Sequence, residues 1–150
     1  MNGESKSILL VEDDPNDAML ALSALGRQHS VNVTVVQDGA EALDYLYCRA
    51  NFHSRPAGNP DVMLLDLKMP KVTGLEVLRQ IKADPQLRTI PIVMLTSSRE
   101  TLDLSECYSL GVNAYVVKPV QFDQYLDAVE GLGTFWAVIN EPPPNTQENT

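Results

Sequence analysis

The sequence predicts an α/β protein built on one doubly wound, parallel β-sheet. Two observations carry this prediction. Five short apolar runs, four of them unbroken, alternate with longer stretches of helical period along the 150 residues. Unbroken apolar runs are typical of strands that are buried on both faces of a parallel sheet. Strict alternation of strand and helix then requires right-handed crossovers, which place helices on both faces of that sheet.

Each predicted strand is short and rich in Val, Ile and Leu. The second differs from the others, because Asn32 and Thr34 alternate with valines, a pattern typical of an edge strand. In chain order, the predicted strands are Ile8–Val11, Val31–Val36, Val62–Leu65, Ile92–Leu95 and Tyr115–Val117. With five strands, a doubly wound sheet fits the flavodoxin-like (βα)5 order 2-1-3-4-5.

Five helices fill the intervals, and prolines punctuate their boundaries. They are predicted near residues 15–28, 38–51, 73–83, 99–111 and 121–139, so that the fifth helix is extended. Residues 52–60 contain Pro and Gly and form a loop before the third strand. Residues 140–150 form a Pro-rich polar tail. We therefore expect one domain over residues 1–139, followed by the tail and no output domain.

Composition excludes several classes of function. A net charge of −9 and a pI near 4.5 argue against nucleic acid, whose phosphates such a surface repels. No apolar run approaches the roughly 18 residues of a membrane span, and the N-terminus lacks the features of a signal peptide. We expect a cytoplasmic protein that binds neither nucleic acid nor membrane.

Polar side chains follow four of the predicted strands at the point where each strand ends. Glu12 and Asp13 follow the first strand, Asp66 the third, Thr96 the fourth and Lys118 the fifth. In an open α/β sheet, ligands bind beyond the carboxyl ends of the strands, where the strand order reverses. Neighbouring strands lie only about 4.8 Å apart, so we expect these side chains to converge.

Converging carboxylates repel one another, and a divalent cation removes that repulsion. Hard oxygen ligands and retained waters suit Mg²⁺, although Mn²⁺ or Ca²⁺ could occupy the same site. Helix capping is the simpler interpretation of the acidic cluster, with Asp14 before Pro15 as the N-cap. Capping accounts for Asp14 alone, because Asp66 follows a different strand into the same corner.

Four motifs, VEDD, LLDLKMPKVTG, MLTSS and YVVKP, together resemble the receiver domain of bacterial two-component response regulators, over residues 7 to about 130. The resemblance implies that Asp66 accepts a phosphoryl group from the phosphohistidine of a sensor kinase. It implies that Glu12, Asp13, Asp66 and the backbone carbonyl of Lys68 hold the metal. A receiver catalyses only its own phosphorylation and dephosphorylation, so an enzyme acting on other substrates is not expected.

The same resemblance assigns roles to the ends of the last two strands. Thr96 and Lys118 contact the phosphoryl group, and Lys118 is joined to Pro119 by the cis peptide bond usual in the family. Thr96 and Tyr115 form a switch: when Thr96 turns toward phosphate, Tyr115 rotates inward. The alternative for Tyr115 is a half-buried strand tyrosine without a switching role.

Loop 52–60 and the ending GLGTFWAVINEPPP resemble a narrower group, the stand-alone receivers that serve bacterial and cyanobacterial phytochromes. This implies a phytochrome-type histidine kinase as the partner, and a homodimer. A helix over 121–139 runs about 28 Å, longer than strands of about 17–20 Å, so Phe135, Trp136 and Ile139 should project past the core. The predicted dimer stripe comprises Phe122, Tyr125, Val129, Leu132, Phe135, Trp136 and Ile139. Alternatively, Phe135 and Trp136 fold back onto their own subunit.

Three other interpretations of the acidic site are open to comparison with its sequence. A hydrolase of the haloacid dehalogenase type needs a second aspartate two residues after the nucleophile, where this chain has Lys68. A GTPase needs G-x-x-x-x-G-K-[ST], which the sequence lacks. The remaining alternative is a dimerisation or docking module with a vestigial phosphorylation site.

Overall fold

The sheet has five parallel strands in the order 2-1-3-4-5, which confirms the predicted flavodoxin-like fold. A computed structural model describes residues 6–26, 31–119 and 121–144. The strands are β1 (Lys6–Val11), β2 (Val31–Val36), β3 (Val62–Leu65), β4 (Ile92–Thr96) and β5 (Ala114–Val117). As predicted, β2 is an edge strand. β5 forms the other edge, and for that reason its residues are only half-buried.

Helices cover both faces of the sheet. They are α1 (Pro15–Leu25), α2 (Gly39–Leu46), α3 (Gly74–Ala83), α4 (Thr101–Ser109) and α5 (Phe122–Gly133). α2 stops short of the predicted residue 51, because Cys48 and Ala50 have φ of 54°, which no right-handed helix accommodates. A short 3₁₀ turn, Ala50–Phe52, follows instead. Among the described residues, no helix has both the length and the apolar character needed to cross a bilayer.

The core consists of two apolar clusters, one on each side of the sheet. Successive strand residues contribute to opposite sides: Leu9 and Val11 to the first cluster, Ile8 and Leu10 to the second. The first is completed by side chains from α2, α3 and α4, and the second by side chains from α1 and α5. Both faces of β1 are therefore buried, which explains why the strand is an unbroken apolar run.

The helices that follow β1 and β3 both begin with side-chain caps. Asp14 caps α1, and its Oδ1 accepts hydrogen bonds from the N–H groups of Asn16 at 2.8 Å and Asp17 at 3.3 Å. This confirms the capping interpretation for Asp14. Thr73 and Glu76 form a reciprocal capping box at the start of α3. These caps fix the two chain segments that leave the carboxyl edge of β1 and β3.

The last helix changes its winding part-way along. After Gly133 the chain continues as a π-helical segment, Thr134–Ile139, closed by a hydrogen bond from the Asn140 N–H to the Phe135 carbonyl. A π turn holds more residues than an α turn, so the side chains after Gly133 do not follow the face predicted for a regular helix.

Two members of the predicted dimer stripe are core residues, and the remainder of the stripe stays a prediction. Tyr125 and Val129 are buried in the second cluster of their own subunit, and they cannot form an intersubunit surface. Leu132 and Trp136 pack partly against that same cluster, so the expectation that Trp136 projects past the core is wrong. Exposed apolar side chains remain at both ends of the helix: Phe122 (59% exposed), Phe135 (47%), Val138 (55%) and Ile139 (65%).

Two glycines offer a direct test of the backbone packing. A Cβ at Gly74 would lie 2.1 Å from the Asp66 carbonyl oxygen, whereas a Cβ at Gly131 would have no neighbour within 4 Å. We expect Gly74→Ala to lower the free energy of unfolding by about 1–3 kcal/mol. Gly131→Ala should raise it by about 0.5–1 kcal/mol, because glycine is unfavourable inside a helix. Urea unfolding of both variants measures this, and equal effects would contradict the packing described.

Candidate functional site

The register of the sheet brings the predicted site residues to one edge. Val11 pairs with Leu65, so Glu12 and Asp66 leave neighbouring strands side by side, and the Asp66 N–H donates to the Val11 carbonyl at 3.2 Å. Thr96 ends β4, and its carbonyl accepts from the Lys118 N–H at 2.8 Å. The convergence expected from the sequence is thus present in the structure.

The ammonium group of Lys118 lies among three carboxylates. Its Nζ is 2.6 Å from Glu12 Oε1, 3.3 Å from Asp66 Oδ2 and 3.2 Å from Asp17 Oδ2. The Lys118 and Asp66 side chains are each 10% exposed and that of Glu12 is 2% exposed. A charge so deeply buried is tolerated only when it is paired, so this network holds the edge together.

Sequence reasoning missed Asp17. It lies in the first turn of α1, three residues after the cap Asp14, and an acidic residue there is ordinarily explained by the helix dipole alone. Whether its side chain can reach Lys118 depends on how α1 packs against the rest of the fold. The sequence offers one hint of this role: Asp17 is a fourth carboxylate within a few residues of Glu12, Asp13 and Asp14.

Burial and neighbouring charges have opposite effects on the pKa values of Glu12 and Lys118. Burial raises the pKa of Glu12 to about 7, although the hydrogen bond and the charge of Lys118 act to lower it. Burial acts to lower the pKa of Lys118, but the hydrogen bond to Glu12 and the charge of Asp66 outweigh it, so that this pKa is raised. The carboxylates around Lys118 therefore stabilise its charged form.

The carboxylates also form a group suited to a divalent cation. One oxygen from each of Glu12, Asp13 and Asp66 lies within 4.8 Å of the others. Asp13 is exposed. The Lys68 N–H donates to Asp66 Oδ1 at 3.4 Å, so the backbone of Lys68 lies beside the Asp66 carboxylate. An all-oxygen set fits a hard cation, and the close approach of the Lys118 ammonium is independent evidence that positive charge is favoured here.

The proposed switch residues are linked through the loop after β4. Thr96 is 1% exposed, and its Oγ1 accepts from the Ser98 N–H at 3.3 Å. The Tyr115 hydroxyl donates to the Ser98 carbonyl at 3.0 Å, and the Ser98 hydroxyl donates to Asp103 Oδ2 at 2.6 Å. Ser98 thus connects Thr96, Tyr115 and α4, and the sequence analysis did not single it out for this.

The expectation of a cis bond before Pro119 is wrong, since the described residues include no cis peptide bond. Lys118 reaches the carboxylates with a trans bond after it. A cavity of about 290 Å³ lies beside Lys118, lined by Asp17, Leu20, Ser97, Lys118, Pro119, Phe122 and Tyr125. This cavity leaves space for a molecule larger than a metal ion beside the ion network around Lys118.

Comparison with known sequences places this geometry in context. A family model described as the response regulator receiver domain matches residues 8–130. The probable methanogenesis regulatory protein FilR2 of Methanothrix harundinacea is 41% identical over 138 residues, 91% of this chain and 86% of FilR2. Response regulator Rcp1 of Synechocystis sp. is 35% identical over 133 residues, 87% of this chain and 88% of Rcp1.

Solved structures give the same picture. The bacteriophytochrome response regulator RtBRR is 60% identical, with a TM-score of 0.73, over 93% of this chain and 85% of its own. The phosphorylated cyanobacterial phytochrome response regulator RcpA is 38% identical, with a TM-score of 0.88, over 93% of this chain and 99% of its own. The Mn²⁺-bound form of Rcp1 is 34% identical, with a TM-score of 0.87 and the same coverage.

Proposed function

Because the chain belongs to the response regulator receiver family, we propose that it is a response regulator whose Asp66 accepts a phosphoryl group from a sensor histidine kinase. One observation carries this proposal above the others. Asp66 lies at the carboxyl edge of the sheet with a carboxylate pair on one side and the Lys118 ammonium 3.3 Å away. Receivers are signalling proteins, and the role does not require turnover of another substrate.

The chain's own residues supply most of what the reaction needs. A carboxylate oxygen of Asp66 attacks phosphorus, the bond to the donor's histidine nitrogen breaks, and that nitrogen keeps the electron pair. The transition state places charge on the three equatorial phosphoryl oxygens. Lys118 can donate to one of them, and the Thr96 hydroxyl, at the end of the neighbouring strand, can donate to another.

We assign Mg²⁺ to the group formed by Glu12, Asp13 and Asp66, with the Lys68 carbonyl as a further ligand. When bound, the cation supplies positive charge beside the acceptor carboxylate and the incoming phosphoryl oxygens. The all-oxygen donor set supports this assignment, as does the Mn²⁺-bound form of Rcp1. Mn²⁺ and Ca²⁺ have compatible ligand preferences.

Phosphorylation would act on other proteins through the Ser98 loop. A phosphoryl group on Asp66 gives the Thr96 hydroxyl a new acceptor, and Thr96 Oγ1 now accepts from the Ser98 N–H. Any movement of Thr96 therefore reaches Ser98, whose carbonyl accepts from Tyr115 and whose hydroxyl donates to Asp103 on α4. We propose Thr96 and Tyr115 as the switch on these grounds.

A phytochrome-type histidine kinase is the partner we propose, with both proteins meeting in the cytoplasm. RtBRR, at 60% identity, and RcpA are phytochrome response regulators by name, which supports this choice. We propose residues 1–139 as the receiver domain, followed by the Pro-rich tail over residues 140–150.

Phosphorylation can be measured directly. Incubation with acetyl phosphate and Mg²⁺ should add the mass of one phosphoryl group to the wild type and none to Asp66→Asn. Asp127→Asn, an exposed change on α5 with the same loss of charge, should still form the adduct. A wild type without an adduct would favour the alternative, a dimerisation or docking module with a vestigial site.

The metal assignment has its own test. Asp13→Asn should lose most Mg²⁺ affinity, at least about tenfold, because a direct carboxylate ligand is replaced by a neutral amide. The fold should stay intact, since the change relieves repulsion among like charges. Isothermal titration with MgCl₂ measures affinity, and Asp127→Asn is again the control. Unchanged binding by Asp13→Asn would remove Asp13 from the ligand set.

We also propose a homodimer, now restricted to the exposed end of the last helix. Phe135, Val138 and Ile139 are each about half exposed or more, and solvent-exposed apolar groups of this kind favour a self-complementary two-fold contact. Sedimentation at micromolar concentration should give a dimer for the wild type and a monomer for Phe135→Ala/Ile139→Ala. Leu102→Ala/Tyr108→Ala, which truncates exposed apolar groups on α4, should remain dimeric. A monomeric wild type contradicts the proposal.

A further inference from the structure

Asp17 is a carboxylate of the site that takes no part in the proposed metal group. A lysine ammonium has three N–H donors, and Lys118 Nζ lies within hydrogen-bond distance of three carboxylates, those of Glu12, Asp66 and Asp17. Glu12 and Asp66 also belong to the group whose oxygens lie within 4.8 Å of one another, and Asp17 does not. Two of the three partners of Lys118 are therefore shared with the cation site, and the third is not.

The backbone of Asp17 is held in place from two directions. Its N–H donates to the capping oxygen of Asp14 at 3.3 Å, and its carbonyl accepts from the Tyr125 hydroxyl at 3.3 Å. The first contact ties it to the start of α1 and the second to α5. Its side chain is 34% exposed and lines the cavity beside Lys118, so it presents a fixed negative charge on that side of the ammonium.

A bound cation must compete with Lys118. The Lys118 ammonium is 2.6 Å from Glu12 and 3.3 Å from Asp66. A divalent cation bound to the same two carboxylates would lie close to the ammonium and would therefore repel it strongly. Lys118 is nevertheless needed nearby for the phosphoryl group. A carboxylate outside the metal group can satisfy both requirements, because it attracts the ammonium without using a metal ligand.

We propose that Asp17 is a positioning residue: it holds the Lys118 ammonium beside the cation site, and thereby leaves Glu12 and Asp66 available to the divalent cation. This inference rests on the proposed function, since it assumes that the acidic group binds a metal. Without the Asp17 charge, the donors of Lys118 concentrate on Glu12 and Asp66, and the cation competes less well.

Mg²⁺ titration calorimetry on the full chain tests this with four proteins: wild type, Asp17→Asn, Lys118→Met and the double variant. Asp17→Asn should weaken Mg²⁺ binding about three- to fivefold, the effect of a partly exposed ion pair. Lys118→Met should strengthen binding, because the competing charge is gone. In the Lys118→Met background, Asp17→Asn should change affinity by less than about 1.5-fold, as expected when one residue acts through another.

Three results would overturn the inference. Equal losses from Asp17→Asn in both backgrounds would mean that its charge acts on the metal directly. No loss in either would mean that Asp17 does not matter. A loss in Asp17→Glu, which keeps the charge, as large as that in Asp17→Asn would point to packing instead. Both contacts that place Asp17 are made by its backbone, so the Asp17 variants should fold. Lys118→Met leaves Glu12 and Asp66 without their buried partner and should unfold at a lower temperature, so thermal unfolding is measured for every variant and the titrations are run below the lowest midpoint.

The readout separates this inference from the function on which it rests. Adduct formation on Asp66 is measured by mass, independently of the titrations. If the wild type forms the adduct and binds Mg²⁺, while Asp17→Asn has the same effect on Mg²⁺ affinity with and without Lys118, only the proposed role of Asp17 is rejected. If the wild type forms no adduct and binds no Mg²⁺, the proposed function fails as well.

Discussion

The buried ion network around Lys118 is the interaction on which the rest of the site depends. Parallel strands all end at the same edge of a sheet, and here that edge collects Glu12 and Asp66 within reach of one ammonium. Without it, two buried carboxylates would repel each other in surroundings of low polarity. Lys118 therefore offsets the repulsion between these carboxylates, although burial still raises the pKa of Glu12 to about 7.

The loops that carry these residues are fixed by local backbone chemistry. The Asp14 cap turns the chain from β1 into α1, and the capping box of Thr73 and Glu76 does the same before α3. Gly74 allows the start of α3 to lie against the Asp66 carbonyl. Lys71, with φ of 66°, adopts a left-handed conformation uncommon for a side chain of its size. Asp66 is thus placed by several short-range constraints that act together.

The same edge joins chemistry to the rest of the molecule. The Ser98 carbonyl accepts a hydrogen bond from the Tyr115 hydroxyl, and the Ser98 N–H donates to Thr96 Oγ1. The Ser98 hydroxyl donates to Asp103 on α4. Few contacts separate Thr96 from α4, a helix that exposes Leu102 and Tyr108. A change of one hydrogen bond at Thr96 consequently has a short physical path to the surface, which is what a protein that signals by contact requires.

The sequence by itself determined the strands, their order and the convergence of Glu12, Asp13, Asp66, Thr96 and Lys118, because apolar runs buried on both faces and polar residues at strand ends are local patterns. Tertiary structure decided what depends on how helices meet the sheet. Asp17 faces Lys118 only because of how α1 packs against α5 and the sheet. Tyr125 and Val129 are core residues rather than an interface, since helical spacing marks an apolar stripe without saying which surface covers it. The π-helical turn after Gly133 changes which side chains of the last helix face the solvent. The apolar spacing in the sequence does not predict that change of winding.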